Sequence, residues 1–452
     1  MQFWKLYKVP LLLTFVSFFL YWFFAYELER TDYTTLILLY SGLFLVFLLL
    51  LKYAGSNIRL LSVIAVLSRI IFIIAIPNLS QDFYRFIWDG RMILEGMNPY
   101  LFTPESLVSS GNIPVEQGQI LYDGMGELNG SHFTNYPPIN QLCFFIAAIF
   151  SGKSILGAAI VFRVIIIAAD LGILYFGKRL LKALNIPVKN IFWYLLNPFI
   201  IIELTGNLHF EGVMLFFLVW SLYVLHQKKW KWAALLFACS ISVKLIPLMF
   251  LTLLFFYFKK DNSVQINVKV LFGFYAIVGL ITIALFAPFF STEFVTNYAQ
   301  TVALWFQNFE FNASIYYLLR EIGFSITGYN EIKLIGKVLP ILVILYILWL
   351  SLYRKAEDTS TLIRYMLLAF AAYLFMSTTV HPWYIATLLL LSVFTNYKFP
   401  IVWSFVIILS YLAYLNINKA DKSENLWIIA LEYVIVYGVF IKELITLRNT
   451  KI

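Results

Sequence analysis

Apolar runs of roughly 18 to 20 residues, each long enough as helix to cross a hydrocarbon core of about 30 Å, recur along the whole chain. That recurrence predicts an all-α fold, a polytopic membrane helix bundle, and leaves no room for a separate soluble domain, so residues 1–452 read as one integral membrane unit. Composition agrees: 62% of residues are hydrophobic and 13% charged, against about 25% charged in soluble domains. The net charge of +9 carries no nucleic-acid inference, because in such a protein Lys and Arg chiefly mark the cytoplasmic ends of helices. Cys143 and Cys239 lie far apart in apolar segments and suggest neither a disulfide framework nor a metal site.

Three crossings are expected near 9–25, 35–51 and 60–76, the first as an uncleaved helix, since no small-residue cleavage site follows it. With Lys5 and Lys8 inside, Glu27, Glu29 and Asp32 fall outside, Lys52 and Arg59 inside, and Asp82 outside. Two long outer loops follow, at 78–140 and 291–337, and loops of such length are functional or disordered. In the first, the start and the Tyr136-Pro137-Pro138 exit read as ordered and Glu105 to Ser131 as mobile. Two threadings remain open. If 139–150 crosses fully, the basic connections at Lys178, Arg179, Lys182 and Lys189 and at Lys228, Lys229 and Lys231 break the charge rule. If it only dips in and 232–258 breaks near Lys244 and Pro247, both connections face the cytoplasm and His209 and Glu211 join Asp82 outside. Either gives about 12 to 14 membrane helices and returns the tail (Lys442, Arg448, Lys451) to the cytoplasm.

The stretch Ser80 to Tyr100 is polar, charged and ended by Asn98-Pro99 in a chain otherwise apolar. At helical spacing Asp82, Arg85 and Asp89 share a face, while Phe83, Phe86, Ile87 and Leu94 supply apolar contacts to lipid or neighbouring helices. An interfacial helix whose charges only meet headgroups is the plainer alternative. Other charges sit where they cost about 2.5–3.5 kcal/mol each: Arg163 and Asp170 on one face but too far apart to pair, and Glu203, Lys244, Arg364 and Glu432. Lys244 couples a cation to a helix break at Pro247, an arrangement suited to phosphate. His209 and Glu211 lie between Gly206 and Gly212, and His381-Pro382-Trp383-Tyr384 follows three hydroxyl residues. Both read as substrate-site candidates or as solvated loop and interfacial anchor. Trp305 to Ser314, aromatic alternating with polar, reads as a lipid-surface segment or a sugar-binding wall.

Taken together, these residues carry a likeness. Asp82 with Phe86, Arg91, Glu95-Gly96 and Pro99-Tyr100, then Tyr136-Pro137-Pro138, Leu196-Asn197-Pro198 with Gly206 to Gly212, Lys244 with Ile246-Pro247, Phe311 to Ser314 with Tyr317, and His381 to Tyr384 follow one another in a familiar order. The chain resembles the GT-C membrane glycosyltransferases that use polyprenyl- or dolichyl-phosphate sugars, and most of all the GPI mannosyltransferase I type and its bacterial mannosyltransferase-like relatives. The resemblance implies that Asp82 is the acidic residue on which catalysis depends. The acidic pair of that family has Ser80 at its first position here, which favours a single general base over a metal-bridging pair.

The expectation that follows is an inverting transfer of mannose or another hexose from a polyprenyl-phosphate sugar to a lipid-linked or glycan acceptor, with the site outside a bacterial inner membrane. Asp82 would take the acceptor proton. Arg85, Arg91, Lys244, His381 and Tyr384 would hold the donor phosphate and lipid, and Asp89, His209, Glu211 and Asn312 the acceptor or sugar. No cofactor or metal is expected, the lipid phosphate sugar being a substrate. A lipid-linked oligosaccharide flippase is a competing reading, but it predicts inverted repeats and short outer loops. An O-antigen polymerase or ligase is another, for which Arg- and His-rich outer loops are expected.

Overall fold

The computed structural model describes residues 2–259, 265–307, 309–416 and 424–449, so Asn308 of the second loop and Lys451 of the basic tail lie outside the described residues. No strand occurs among the described residues, only isolated bridges such as Phe311 with Thr379, and the all-α expectation holds.

Among the described residues, six helices are long and apolar enough to cross a membrane: Tyr7–Tyr26, Tyr33–Ala54, Ile155–Ala183, Val268–Phe289, Ile332–Arg354 and Thr359–Met376. A seventh candidate, Pro198–Gly206 with Glu211–His226, is bent by 115° at its break. This is fewer than the 12 to 14 expected from hydropathy, because other apolar runs fold as short helices, Pro138–Ser151, Trp230–Val243, Pro382–Val393 and Phe399–Leu415 among them. Prolines and polar residues delimit these helices, and a hydropathy average does not register such ends. Pro138–Ser151 has 14 residues, about 21 Å of helix, too short for a full crossing. Trp230–Val243 stops where Lys244 turns extended (φ −147°, ψ 143°), and the chain resumes as a 3₁₀ helix, Ile246–Leu254, with Pro247 in its first turn. Both features are those of the second threading.

Neither long loop is an extended connection. The first contains the helices Asp82–Leu94, Pro104–Ser109 and Gly118–Gly130. Its middle is ordered, against the mobile segment expected from its Gly and polar content, because Leu107, Val115, Leu121 and Met125 are buried in the common core. Helix Asp82–Leu94 is covered rather than interfacial: Phe83 and Arg85 through Met92 are all buried. Its apolar side stacks Phe86 on Phe144 at 4.6 Å and 8°, with Phe162 and Phe210 edge-on to both, a packing that fixes the helix against the bent span. The Ser80 hydroxyl accepts the Asp82 N–H at 3.3 Å, and at the other end Gly96 at φ 74° closes the helix. The second loop carries Thr292–Gln307 and Ile315–Thr327.

Candidate active site

The site is organised by the break in the bent span. Ile201–Gly206 is a π-helical turn, and Leu208 beyond it is held at φ 64° while fully buried, a conformation costly for a branched side chain and often found where backbone strain serves a site. A break inside a membrane bundle leaves carbonyls that need donors. Arg163 supplies them, donating to Thr205 O (3.1 Å), Gly206 O (3.0 Å) and Ile73 O (3.2 Å). Its embedded charge therefore holds backbone, and Asp170 pairs instead with Arg69 at 2.6 Å. Asn207 links the break to the first loop by accepting the Leu79 N–H at 3.3 Å and donating to Glu203 at 3.2 Å.

Asp82 opens its helix half-buried, its carboxylate accepting the Asn129 side-chain N–H at 3.1 Å. Burial raises its pKa above the usual carboxylate value, and the Asn129 hydrogen bond and the charges of Lys244 and Arg30 oppose that rise. Lys244 is ion-paired with the wholly buried Glu211, whose second oxygen has no hydrogen-bond partner. Glu211 and Tyr384 are both within electrostatic reach of Asp82. Asp82, Glu211, Lys244 and Tyr384, scattered over 300 residues of sequence, are thus one electrostatic cluster.

Beside it runs a row of rings. His209 stacks on Trp383 (3.8 Å, 19°), His381 stacks on Trp383 (4.6 Å, 6°) and Phe311 stacks on His381 (5.2 Å, 28°). Phe311 is held there by backbone hydrogen bonds to Thr378 and from Val380, so the second loop is pinned to the segment that carries His381. The buried His209 Nε2 lies 3.9 Å from Glu203 Oε2 and makes no hydrogen bond. His209 Nε2 and Glu211 Oε2 are therefore buried polar atoms whose hydrogen-bonding capacity is unspent. Near the same segment, Gly336, Pro340, Val343, Tyr373, Met376, Ser377 and Thr378 line a small crevice of about 10 Å³, room for about one water.

The remaining predicted site residues are engaged elsewhere. Arg85 binds Asp89 at 2.8 Å and the carbonyls of Asn129 (2.6 Å) and His132 (2.9 Å), and Asp89 also accepts from Gln141 at 2.9 Å. Arg91 donates to the carbonyls of Glu116 and Lys153 and to Gln117. These three residues tie helix Asp82–Leu94 to its covering loop. Asn312, at φ 47° and buried, donates its backbone N–H to Glu424 and its amide to Glu432 at 3.2 Å and accepts Tyr433 O–H at 2.7 Å. It anchors the second loop to the last helix.

Sequence reasoning passed over Arg30, Glu203 as a neighbour of His209, and Trp383 as the centre of the ring row. Arg30 had a signal: it is a cation among the acidic residues Glu27, Glu29 and Asp32, in a loop that the charge rule reads as cation-poor.

A helical membrane protein with a half-buried carboxylate, flanking cations and unpaired polar atoms beside stacked rings is built as an integral membrane enzyme. The profile of the MptA_B family, described as "Alpha-(1->6)-mannopyranosyltransferase, N-terminal domain", matches residues 16–260, more than half of the chain, and the chain belongs to this mannosyltransferase family. It is a glycosyltransferase. No curated protein matches the chain. The matched span contains Asp82, Glu203, His209, Glu211 and Lys244, whereas Phe311, His381 and Trp383 lie beyond it.

Proposed function

We propose that the enzyme moves mannose from a polyprenyl-phosphate donor to a lipid-linked or glycan acceptor, with inversion and without a metal, at the outer face of a bacterial inner membrane. The observation that carries this reading is Asp82: a half-buried carboxylate whose pKa is raised by burial against the Asn129 hydrogen bond and the charges of Lys244 and Arg30, one residue on from the Gln81 that separates it from Ser80. The lone acid at that position is the ground for a metal-independent base. The other apolar helices, Ile58–Ile70, Pro138–Ser151, Trp230–Val243, Pro382–Val393, Phe399–Leu415 and Leu426–Asn449, are read as further membrane-embedded helices, not all of them full crossings, which brings the number of membrane helices into the expected 12 to 14.

In the reaction the acceptor hydroxyl oxygen attacks C1 of the sugar from the face opposite the phosphate. The bond from C1 to the acceptor oxygen forms as the bond from C1 to the phosphate oxygen breaks, and Asp82 takes the hydroxyl proton. A lipid phosphate is a weakly basic leaving group, so no general acid is required. Lys244 and the ring segment of His381 and Tyr384 stabilise the departing phosphate. His209 and Glu211, with their unpaired polar atoms, take sugar hydroxyls. Arg85, Asp89 and Arg91 serve by fixing the helix that presents Asp82, and Asn312 by fixing the loop that presents Phe311.

The test is incubation of membranes containing the protein with radiolabelled polyprenyl-phosphate mannose. Label passing to a new lipid or glycan supports the reading, and its loss in Asp82→Asn at equal expression supports the base. Label that only changes leaflet identifies a flippase instead.

A further inference from the structure

We propose that Arg30 and Tyr414 form an anion subsite that holds the phosphate of the lipid donor beside Asp82. This rests on the donor being a lipid phosphate, as proposed above.

Of the cations near the site, Lys244 is paired with Glu211, Arg85 with Asp89 and loop carbonyls, Arg91 with loop carbonyls, and Arg163 with the carbonyls of the break. Arg30 differs. No carboxylate lies within ion-pair distance of it among the described residues, and its Nε is buried with no hydrogen-bond partner. Its guanidinium carbon sits 3.3 Å from the centroid of the Tyr414 ring. A guanidinium stacked on an aromatic face keeps its in-plane N–H donors, and their fork matches two oxygens of one phosphate.

Position supports the assignment. The Asn78 side chain, four residues before Asp82, donates to Phe24 O (2.8 Å) and Leu28 O (3.1 Å) and so fastens the loop of Arg30 to the approach to Asp82. Asp32 donates its N–H to Glu29 O and caps the next helix through Thr35, so the turn around Arg30 is fixed before any ligand arrives. Tyr414 continues the ring row, 6.3 Å from Phe311 and 5.7 Å from Tyr411, and Tyr411 donates to Glu203 at 2.7 Å. Arg30 thereby stands at one end of a row whose other end, His209, is in electrostatic contact with Lys244. A phosphate held by Arg30 would leave from the face of C1 opposite the acceptor hydroxyl whose proton Asp82 receives, with the charge of Arg30 within electrostatic reach of that carboxylate.

The experiment measures binding to the purified full-length protein of a polyprenyl monophosphate, the uncharged polyprenol, inorganic phosphate and phosphatidylglycerol, for wild type, Arg30→Gln, Arg30→Lys and Tyr414→Leu. Loss of charge-assisted hydrogen bonds predicts an affinity for polyprenyl phosphate about 10- to 100-fold lower in R30Q, with polyprenol binding unchanged, partial recovery in R30K and an intermediate loss in Y414L. Equal binding of polyprenyl phosphate by R30Q and wild type overturns the proposal. So does an equal loss for polyprenol, which marks a packing effect, or an equal loss for inorganic phosphate or phosphatidylglycerol, which marks a general anion site. Asp82→Asn separates the two readings: it should bind polyprenyl phosphate and not turn over, and turnover by D82N would overturn the base while leaving the binding comparison for Arg30 intact.

Discussion

The imidazole of His209 lies against the indole of Trp383 with centroids 3.8 Å apart and planes 19° from parallel. One ring belongs to the break in the bent span, the other to the 3₁₀ turn Pro382–Tyr384, so the contact joins the family-matched part of the chain to its distal part. Each such ring pair is worth about 0.5–1.5 kcal/mol beyond burial, and Trp383 makes one with His209 and one with His381.

Trp383→Leu is therefore expected to lower stability by about 1–3 kcal/mol and to reduce turnover further than stability alone explains, because two histidines lose their support. Trp383→Phe keeps a ring and should fall between. Thermal unfolding in detergent read alongside turnover checks this, and a W383L protein matching wild type in both would remove the ring row from the site.

The ionisation of Asp82 gives a pH prediction. Burial raises its pKa above the ordinary carboxylate value, and Asn129 opposes the rise by donating to the carboxylate. A base works when ionised, so activity falls as pH drops through that raised pKa, and the acid limb should stand above the ordinary Asp value of about 3.9. Asn129→Ala removes an interaction that favours the charged form, and the limb should move to still higher pH. A pH profile of turnover under saturating donor tests it; a limb unmoved in N129A, or moved downward, contradicts the assignment.

Much of this candidate site is legible in the sequence because its signals are local. Asp82 stood out as a charge at the start of a polar helix, and the break at Lys244 was visible in Pro247. His209 and Glu211 were marked by flanking glycines. What was hidden depends on tertiary partners. Asp170 shares a helix face with Arg163, yet its partner is Arg69 on another helix, and spacing along one helix cannot show that. Arg85 and Asp89 read as ligands because they share the face of Asp82, whereas a covering loop, itself read as mobile, engages them. Its helices depend on scattered residues such as Leu107 and Leu121 reaching the common core, which no window average reveals.

The Arg69–Asp170 pair is a structural prediction independent of the site. Both side chains are 3% exposed, and Arg69 also donates to Leu195 O at 2.8 Å. Removing one partner of a buried pair costs about 3–5 kcal/mol because a charge is left uncompensated, while apolar replacement of both is often neutral. Asp170→Leu should destabilise strongly, and the double change Arg69→Met with Asp170→Leu should recover most of the loss with turnover retained. Chemical denaturation of the three proteins measures the coupling, and additive losses in the double variant would show that the charges do not act as a pair.

Gly90 tests whether helix Asp82–Leu94 must sit where it does for Asp82 to act. A Cβ built at Gly90 overlaps the carbonyl oxygen of Phe144 in helix Pro138–Ser151, a backbone atom that no side-chain rotation can move away. Gly90→Ala must push the two helices apart, at a cost of about 1–3 kcal/mol typical of overpacking, and the Phe86–Phe144 stack one turn away moves with them. Gly438, in helix Leu426–Asn449, has open space around the same built Cβ, and there alanine should be neutral or stabilising by up to about 1 kcal/mol through helix propensity. If the position of Asp82 is set by this packing, G90A loses turnover at temperatures where it remains folded and G438A does not. Equal turnover in the two folded variants would mean that the carboxylate finds its place without the close approach of these helices.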